Sequence, residues 1–404
     1  MDRFLKRAWA EVNLDYLIHN YLQVRTLLPE TTKIMAIIKA NAYNCGDIAV
    51  AGALEQYKDD WYGVSNLDEA LTVRESGTLK SILILGYTPP EYADLIAKNS
   101  ITQTIVSFDH ARQLALSAEK ANTCLDVHIK LDTGMSRIGI VCYDSSYEKA
   151  MKEVRWILEN PFLHVTGVFT HVATFYDLTE QHDAFSRLQY QRFSLFTSDL
   201  IQKGFQIGLR HCCNSAGIIN MPGMELDMVR TGTLLYGAMP LCYERRHLSL
   251  KGILTVKAAV ALVKDVKAGT KFSYSIQYEA ANDLRAATIT IGYSDILRLG
   301  MGKGQVLVNG IPCPVIGSVC MDQLMIDISE AGEVHPGEEV VLLGAMGEEE
   351  IKVDDMGTFL AADTAEIYCH LTKRLPHLYI KDGKPWYWVD YIAQKHLLDL
   401  RDNK

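Results

Sequence analysis

KIMAIIKA (residues 33–40) carries five consecutive apolar residues, Ile34–Ile38, and closes on a lysine, Lys39. A run this short and unalternating reads as a strand buried on both faces. Seven more such runs follow it: WYGVSN (61–66), SILILGY (81–87), TQTIVSF (102–108), DVHIKLDT (126–133), HVTGVFTH (164–171), LRHCCNS (209–215) and MVRTGTLLYG (228–237). Helical patterns separate them, among them NLDEALTVRESG (66–77) and the stretch around 143–158. Strands alternating with helices predict a parallel sheet with helical crossovers. Eight units in about 240 residues predict a (β/α)8 TIM-type barrel. The competing open, doubly wound sheet lacks its G-x-G-x-x-G turn after a first strand.

Past about residue 245 the period turns alternating. ILTVKAAVALVKDV, ATITIGY, GQVLVNGIPCPVIG and EEVVLLG read as strands, with Asn309-Gly310 a hairpin signal between two of them. The expected organisation is α/β, with a barrel over 10–243, a second, mostly β domain over 244–384 with which residues 1–9 pack, and a C-terminal helical tail over 385–404 beginning PWYWVDYIAQK. A chain of 404 residues accommodates this division at roughly 150 residues per domain.

Composition narrows the function classes. A net charge of −9 argues against a nucleic-acid surface of the usual basic kind. No apolar run approaches the roughly 20 residues that span a bilayer, and MDRFLKRAWAEVNLDYL lacks the apolar core of a secretory signal. Nine cysteines, with no CxxC spacing, suggest reduced thiols in the cytoplasm and no metal site.

Barrel enzymes work at the C-terminal ends of their strands. There this sequence places Lys39, the Asp132–Arg137 segment, His171, Asn214, Ser215, Arg230, Gly232 and Thr233. A lysine ending a buried strand has a lowered pKa, which suits Schiff-base formation with an aldehyde cofactor. Ser215, Gly232 and Thr233, after strands 7 and 8, sit where barrels commonly bind phosphate. Taken singly, Lys39 reads as a snorkelling strand-end lysine and Gly232 as a turn glycine. Together they point to pyridoxal 5'-phosphate.

AIIKANAYNCGD (36–47), HIKLDTGMSRIGI (128–140), GVFTHVAT (167–174), NSAG (214–217), VRTGTLLYG (229–237), IGYSD (291–295) and GSVCMDQLMID (317–327) resemble, in order, the blocks of bacterial alanine racemases. The resemblance covers Ala10 to about Tyr379 and implies a barrel plus β-domain, a head-to-tail homodimer and racemisation of alanine. It implies that Lys39 bears the cofactor and is one catalytic base, with Tyr274 the second, reaching a partner's barrel. Tyr43, Ser215, Gly232 and Thr233 would hold the phosphate, with Asn214 beside them. Arg230 would face the pyridine nitrogen, and His171 would position the ring. Arg137 would bind the phenolic oxygen and the substrate carboxylate, and Met321 would reach across the dimer. Tyr293, Asp322 and Ala365 fall at the substrate side, and Lys130 resembles a lysine that is often carbamylated.

The departures cluster near the substrate. Ala365 stands where the family usually has a tyrosine, with Tyr368 an alternative occupant of that space. Ser318 replaces a common arginine, Ile296 follows IGYSD in place of glycine, and Asn44-Cys45-Gly46 replaces glycine–histidine–glycine. These keep a serine or broader-specificity racemase open beside alanine, and Asp363 suggests attraction for a cationic side chain. A barrel decarboxylase is disfavoured by the missing triple-glycine phosphate loop, and a non-catalytic cofactor carrier by Tyr274 and the VCMD block.

Overall fold

A computed structural model describes residues 4–57, 60–176, 178–239, 246–296, 304–360, 362–392 and 395–399. Eight parallel strands form the barrel: Lys33–Ile37, Trp61–Val64, Ser81–Ile84, Ile101–Ile105, Leu125–Asp132, Leu163–Phe169, Leu209–His211 and Met228–Thr231. Their order in the sheet is their order in the chain. The eighth pairs with the first, Arg230 opposite Met35. Between the seventh and eighth, Asp227 N donates to Arg210 O (3.1 Å) and Arg230 N to Cys213 O (2.9 Å), which closes the ring.

The crossover helices start where the sequence supplies caps. Asn66 accepts from Glu69 N ahead of Leu67–Glu75, and Ser107 accepts from His110 N ahead of Phe108–Lys120. Tyr147–Leu158 buries Ala150, Met151, Val154 and Ile157, a single stripe at helical spacing turned to the barrel. Met35, Leu83, Ile105, Ile129 and Val168, all on barrel strands, are fully buried.

The second domain is built on an 11-stranded, mostly antiparallel sheet. Asn309 and Gly310 both take positive φ (52° and 75°) and join Gln305–Val308 to Ile311–Ile316, as the hairpin signal predicts. Two boundaries differ from expectation. Ala8–Asn13 is a strand of this second sheet, antiparallel to Leu254–Val266 and parallel to His377–Lys381, so the barrel begins after Asn13 and not at residue 10. Asn13 then caps helix Leu14–Thr26, so one residue ends the strand and starts the helix. In the described part of the tail, strands Lys384–Asp390 and Lys395–Asp399 stand where a helix was expected. Asp382 (φ 53°) and Gly383 (φ 67°) turn the chain back, pairing Tyr387 with Tyr379 and Trp388 with Leu378. Cross-strand aromatic packing outweighs the weak helical spacing of the segment. The expected junction at 243–244 lies outside the described residues.

Gly46 packs closely against the second domain. It has φ +90°, and a Cβ there would lie 1.9 Å from the hydroxyl oxygen of buried Tyr379. Gly46→Ala is expected to destabilise the protein by about 2–4 kcal/mol, the sum of left-handed strain and overpacking. Urea unfolding measures this, and a change below about 0.5 kcal/mol would contradict it.

Candidate active site

A cavity of about 550 Å³ opens at the C-terminal ends of the barrel strands. It is lined by four basic side chains, Lys39, Lys130, Arg137 and Arg230, against one carboxylate, Asp363. So many basic groups converging on one concave site call for an anionic occupant. Tyr43, His171, Asn214, Ser215, Gly232, Thr233 and Ala365 complete the predicted residues found there.

Lys39 leaves the first strand into an unusual turn. The five residues Ala40, Asn41, Ala42, Tyr43 and Asn44 all have φ between 51° and 59°, a left-handed helical turn made without glycine. Each such residue costs about 1–2 kcal/mol, and backbone strain of this kind collects at functional sites. Hydrogen bonds from Ala42 N to Ile38 O and from Asn44 N to Ala40 O hold the turn (both 2.9 Å). The turn sends Lys39 and Tyr43 toward the same cavity. Lys39 is exposed through the cavity mouth, yet the surrounding protein and then the charge of Arg137 lower its pKa. Lys130 is almost fully buried, lies 5.0 Å over the Phe169 ring, and is held well below the usual lysine range by burial and by Arg230 and Arg137.

The loops after strands 7 and 8 lock together. Asn214 caps Ser215–Asn220 by accepting from Gly217 N (2.9 Å), and the Ser215 hydroxyl accepts from Gly232 N (2.9 Å). A Cβ at Gly232 would lie 2.9 Å from the Tyr43 hydroxyl, so glycine is what admits the tyrosine there. Arg230 is held from below. Its Nη1 donates to His211 Nδ1 (2.8 Å), and its Nη2 to Thr170 O and Cys212 O (both 2.9 Å) and to His171 Nδ1 (3.2 Å). Burial lowers its pKa to about 10.

His128, His171 and His211 are held neutral by burial first and by Arg230 next; His128 is lowered to about 3. Unfolded, each titrates near 6.5, so below that pH the unfolded chain binds more protons than the folded one. Their contribution is therefore complete above pH 6.5 and is lost as pH falls toward their folded values. Moving from pH 7 to pH 5 is expected to cost about 2 kcal/mol for His128 alone, with His171 and His211 adding in the same direction. Urea unfolding at the two values tests this, and equal stability would contradict it.

Four predicted residues are not in the cavity. Tyr274 (72% exposed), Tyr293 (45%), Met321 (53%) and exposed Asp322 lie on the second domain and do not line the cavity that holds Lys39. They form one surface. Ser318 Oγ donates to Tyr274 O, Tyr293 N to Cys320 O, Ser294 Oγ to Met321 O, and Arg374 Nη1 to Asp322 Oδ1. Tyr368 does not take the place of a tyrosine at Ala365, since it is buried with its hydroxyl donating to Tyr236 O (2.7 Å). Sequence reasoning passed over His128, His211 and Tyr176. Inward alternation along DVHIK and LRH was the available signal for the two histidines.

This architecture, a barrel with a lysine and a phosphate-type cradle at its mouth and a β-domain built partly from the N-terminal strand, defines a class of two-domain barrel enzyme. The chain belongs to the alanine racemase family: residues 12–240 match its N-terminal domain and residues 253–379 its C-terminal domain. Alanine racemase 1 of Clostridium acetobutylicum is 35% identical over 386 residues, covering 95% of this chain and 98% of that protein. The alanine racemase structure from Clostridium difficile 630 superposes with a TM-score of 0.88 at 30% identity, covering 96% of this chain and all of that one. A histidine racemase from Leuconostoc mesenteroides subsp. sake also superposes, with a TM-score of 0.82 at 27% identity, covering 94% of this chain and 99% of that one.

Proposed function

We propose that this protein is a pyridoxal-phosphate-dependent racemase that interconverts L- and D-alanine, working as a homodimer with shared sites. The observation that carries this reading is the convergence of Lys39, Arg137, Arg230 and the Ser215–Gly232–Tyr43 cradle in one cation-lined cavity. The donor set fits the cofactor. Lys39, with its lowered pKa, would hold the aldehyde carbon; Tyr43, Ser215, Gly232 and Thr233, with Asn214 beside them, would hold the phosphate; Arg230 and His171 would meet the ring. When bound, pyridoxal phosphate supplies the electron sink that makes the α-proton removable.

The chain's own residues then divide the proton work. Racemisation removes a proton from one face and returns one to the other, which two bases on opposite faces accomplish simply. Lys39 serves one face. Tyr274, exposed beside Met321 and Tyr293, serves the other from a neighbouring subunit, and this exposure favours the dimer. Arg137 orients the substrate carboxylate, with Met321, Tyr293 and Asp322 closing the entrance from the partner. Lys130, its pKa lowered by burial and by Arg230 and Arg137, is biased toward the neutral amine that takes up carbon dioxide as a carbamate. Eight free cysteines among the described residues favour the cytoplasm, and no described helix is long and apolar enough to cross a membrane.

Ala365 and Asp363 on the cavity wall favour a second reading, use of serine or of larger amino acids. Side-by-side kcat/KM for L-alanine, L-serine and L-histidine separates the two. The expected result is a preference for alanine of tenfold or more, about 1.4 kcal/mol in transition-state binding. Equal or better use of serine or histidine would mean that the open wall sets specificity.

A further inference from the structure

Arg230 is the end of a buried chain of hydrogen bonds whose direction is fixed by chemistry. A guanidinium only donates, so His211 Nδ1, 2.8 Å from Arg230 Nη1, must carry a lone pair. Neutral His211 therefore bears its hydrogen on Nε2, which lies 3.0 Å from His128 Nδ1. His128 Nδ1 is then an acceptor too, and its own hydrogen sits on Nε2, a buried atom with no protein partner. Both rings are fully buried, and both are held neutral by burial and by the nearby Arg230 charge. His211 stacks on Phe169 (4.7 Å, 4° between planes), and Arg230 lies over the same ring at 5.3 Å. His128 is wedged by Trp61 (5.1 Å) and by Gly167, where a Cβ would come within 2.6 Å of the imidazole.

We propose that His128, two hydrogen bonds below the cavity, is a positioning residue for Arg230, acting through His211 by accepting its Nε2–H and so fixing the edge that His211 offers the guanidinium. The orphaned Nε2–H on His128 is what this directional chain leaves over. If His128 were only core filling, an apolar ring of like size would serve equally well and would remove the orphaned Nε2–H. With the chain in place, Arg230 meets the cavity in one orientation. The proposal rests on reading that cavity as the cofactor site, and it adds a residue to which neither the cavity lining nor the strand ends point.

Nitrogen-15 spectra of holoenzyme labelled at histidine test the chain itself. His128 and His211 are each expected as Nε2–H tautomers that do not titrate between pH 6 and 9, and an Nδ1–H tautomer at either overturns the proposal. His128→Phe removes the acceptor and keeps the ring volume. It is expected to shift the His211 nitrogen signals and to weaken pyridoxal-phosphate affinity about tenfold, the scale of one misaligned hydrogen bond to a charged group. His128→Asn, whose amide oxygen accepts from His211, is expected to restore most of the affinity. A folded His128→Phe protein with wild-type His211 signals and wild-type cofactor affinity overturns the proposal. Failure of the cofactor reading shows separately, as wild-type protein that takes up no pyridoxal phosphate.

Discussion

Lys39→Ala is expected to reduce kcat/KM for alanine racemisation by at least about a thousandfold, even with pyridoxal phosphate in excess. Of the basic side chains lining the cavity, the two arginines cannot serve as bases at neutral pH. Lys130 is buried beneath them, almost without exposure. Lys39 alone combines access through the cavity mouth with a pKa lowered by burial and by Arg137. The loss should affect both directions of the reaction, because the same residue holds the cofactor and moves a proton. Racemisation assays in both directions read this. A variant that keeps more than about a hundredth of the wild-type rate would remove Lys39 from the chemistry.

Tyr274→Phe deletes one hydroxyl from a side chain that is 72% exposed in its own subunit, so little stability is at stake. Racemisation is nevertheless expected to fall by about 10²–10⁴-fold, the usual contribution of one general base. Solvent exchange carries the finer prediction. In deuterated water the variant should still exchange the α-proton of one enantiomer, through Lys39, and should lose exchange of the other. A single base swinging between faces predicts equal exchange of both enantiomers, and that result would exclude Tyr274 as the second base.

The barrel was legible because each strand is buried on both faces, so its apolar run stands out between helical patterns; the eight predicted runs overlap the eight strands. Strand-end chemistry was legible for the same reason, since Lys39, His171, Ser215 and Arg230 interrupt or end those runs. The left-handed turn from Ala40 to Asn44 was not. Alanine and tyrosine have no preference for that conformation, and only the surrounding structure imposes it. The C-terminal hairpin was misread as a helix although Asp382-Gly383 signalled a turn, because tyrosine and tryptophan fit either period locally. His128 and His211 were hidden by distance, being 83 residues apart and meeting only inside the closed barrel. The separation of Tyr274 from the cavity follows from no single-chain pattern; the family resemblance alone suggested it.

Subunit mixing tests the central claim most directly. Lys39→Ala and Tyr274→Ala homodimers are each expected to be inactive, one lacking the lysine and the other lacking the tyrosine in every site. After exchange, a mixed dimer has one barrel with intact Lys39 that faces an intact Tyr274 from its partner. With random pairing, half the dimers are mixed and each has one working site of two, so recovery of about a quarter of wild-type activity is predicted. A mixture that stays at background, with mixed dimers confirmed by native mass spectrometry, would contradict a site shared between subunits.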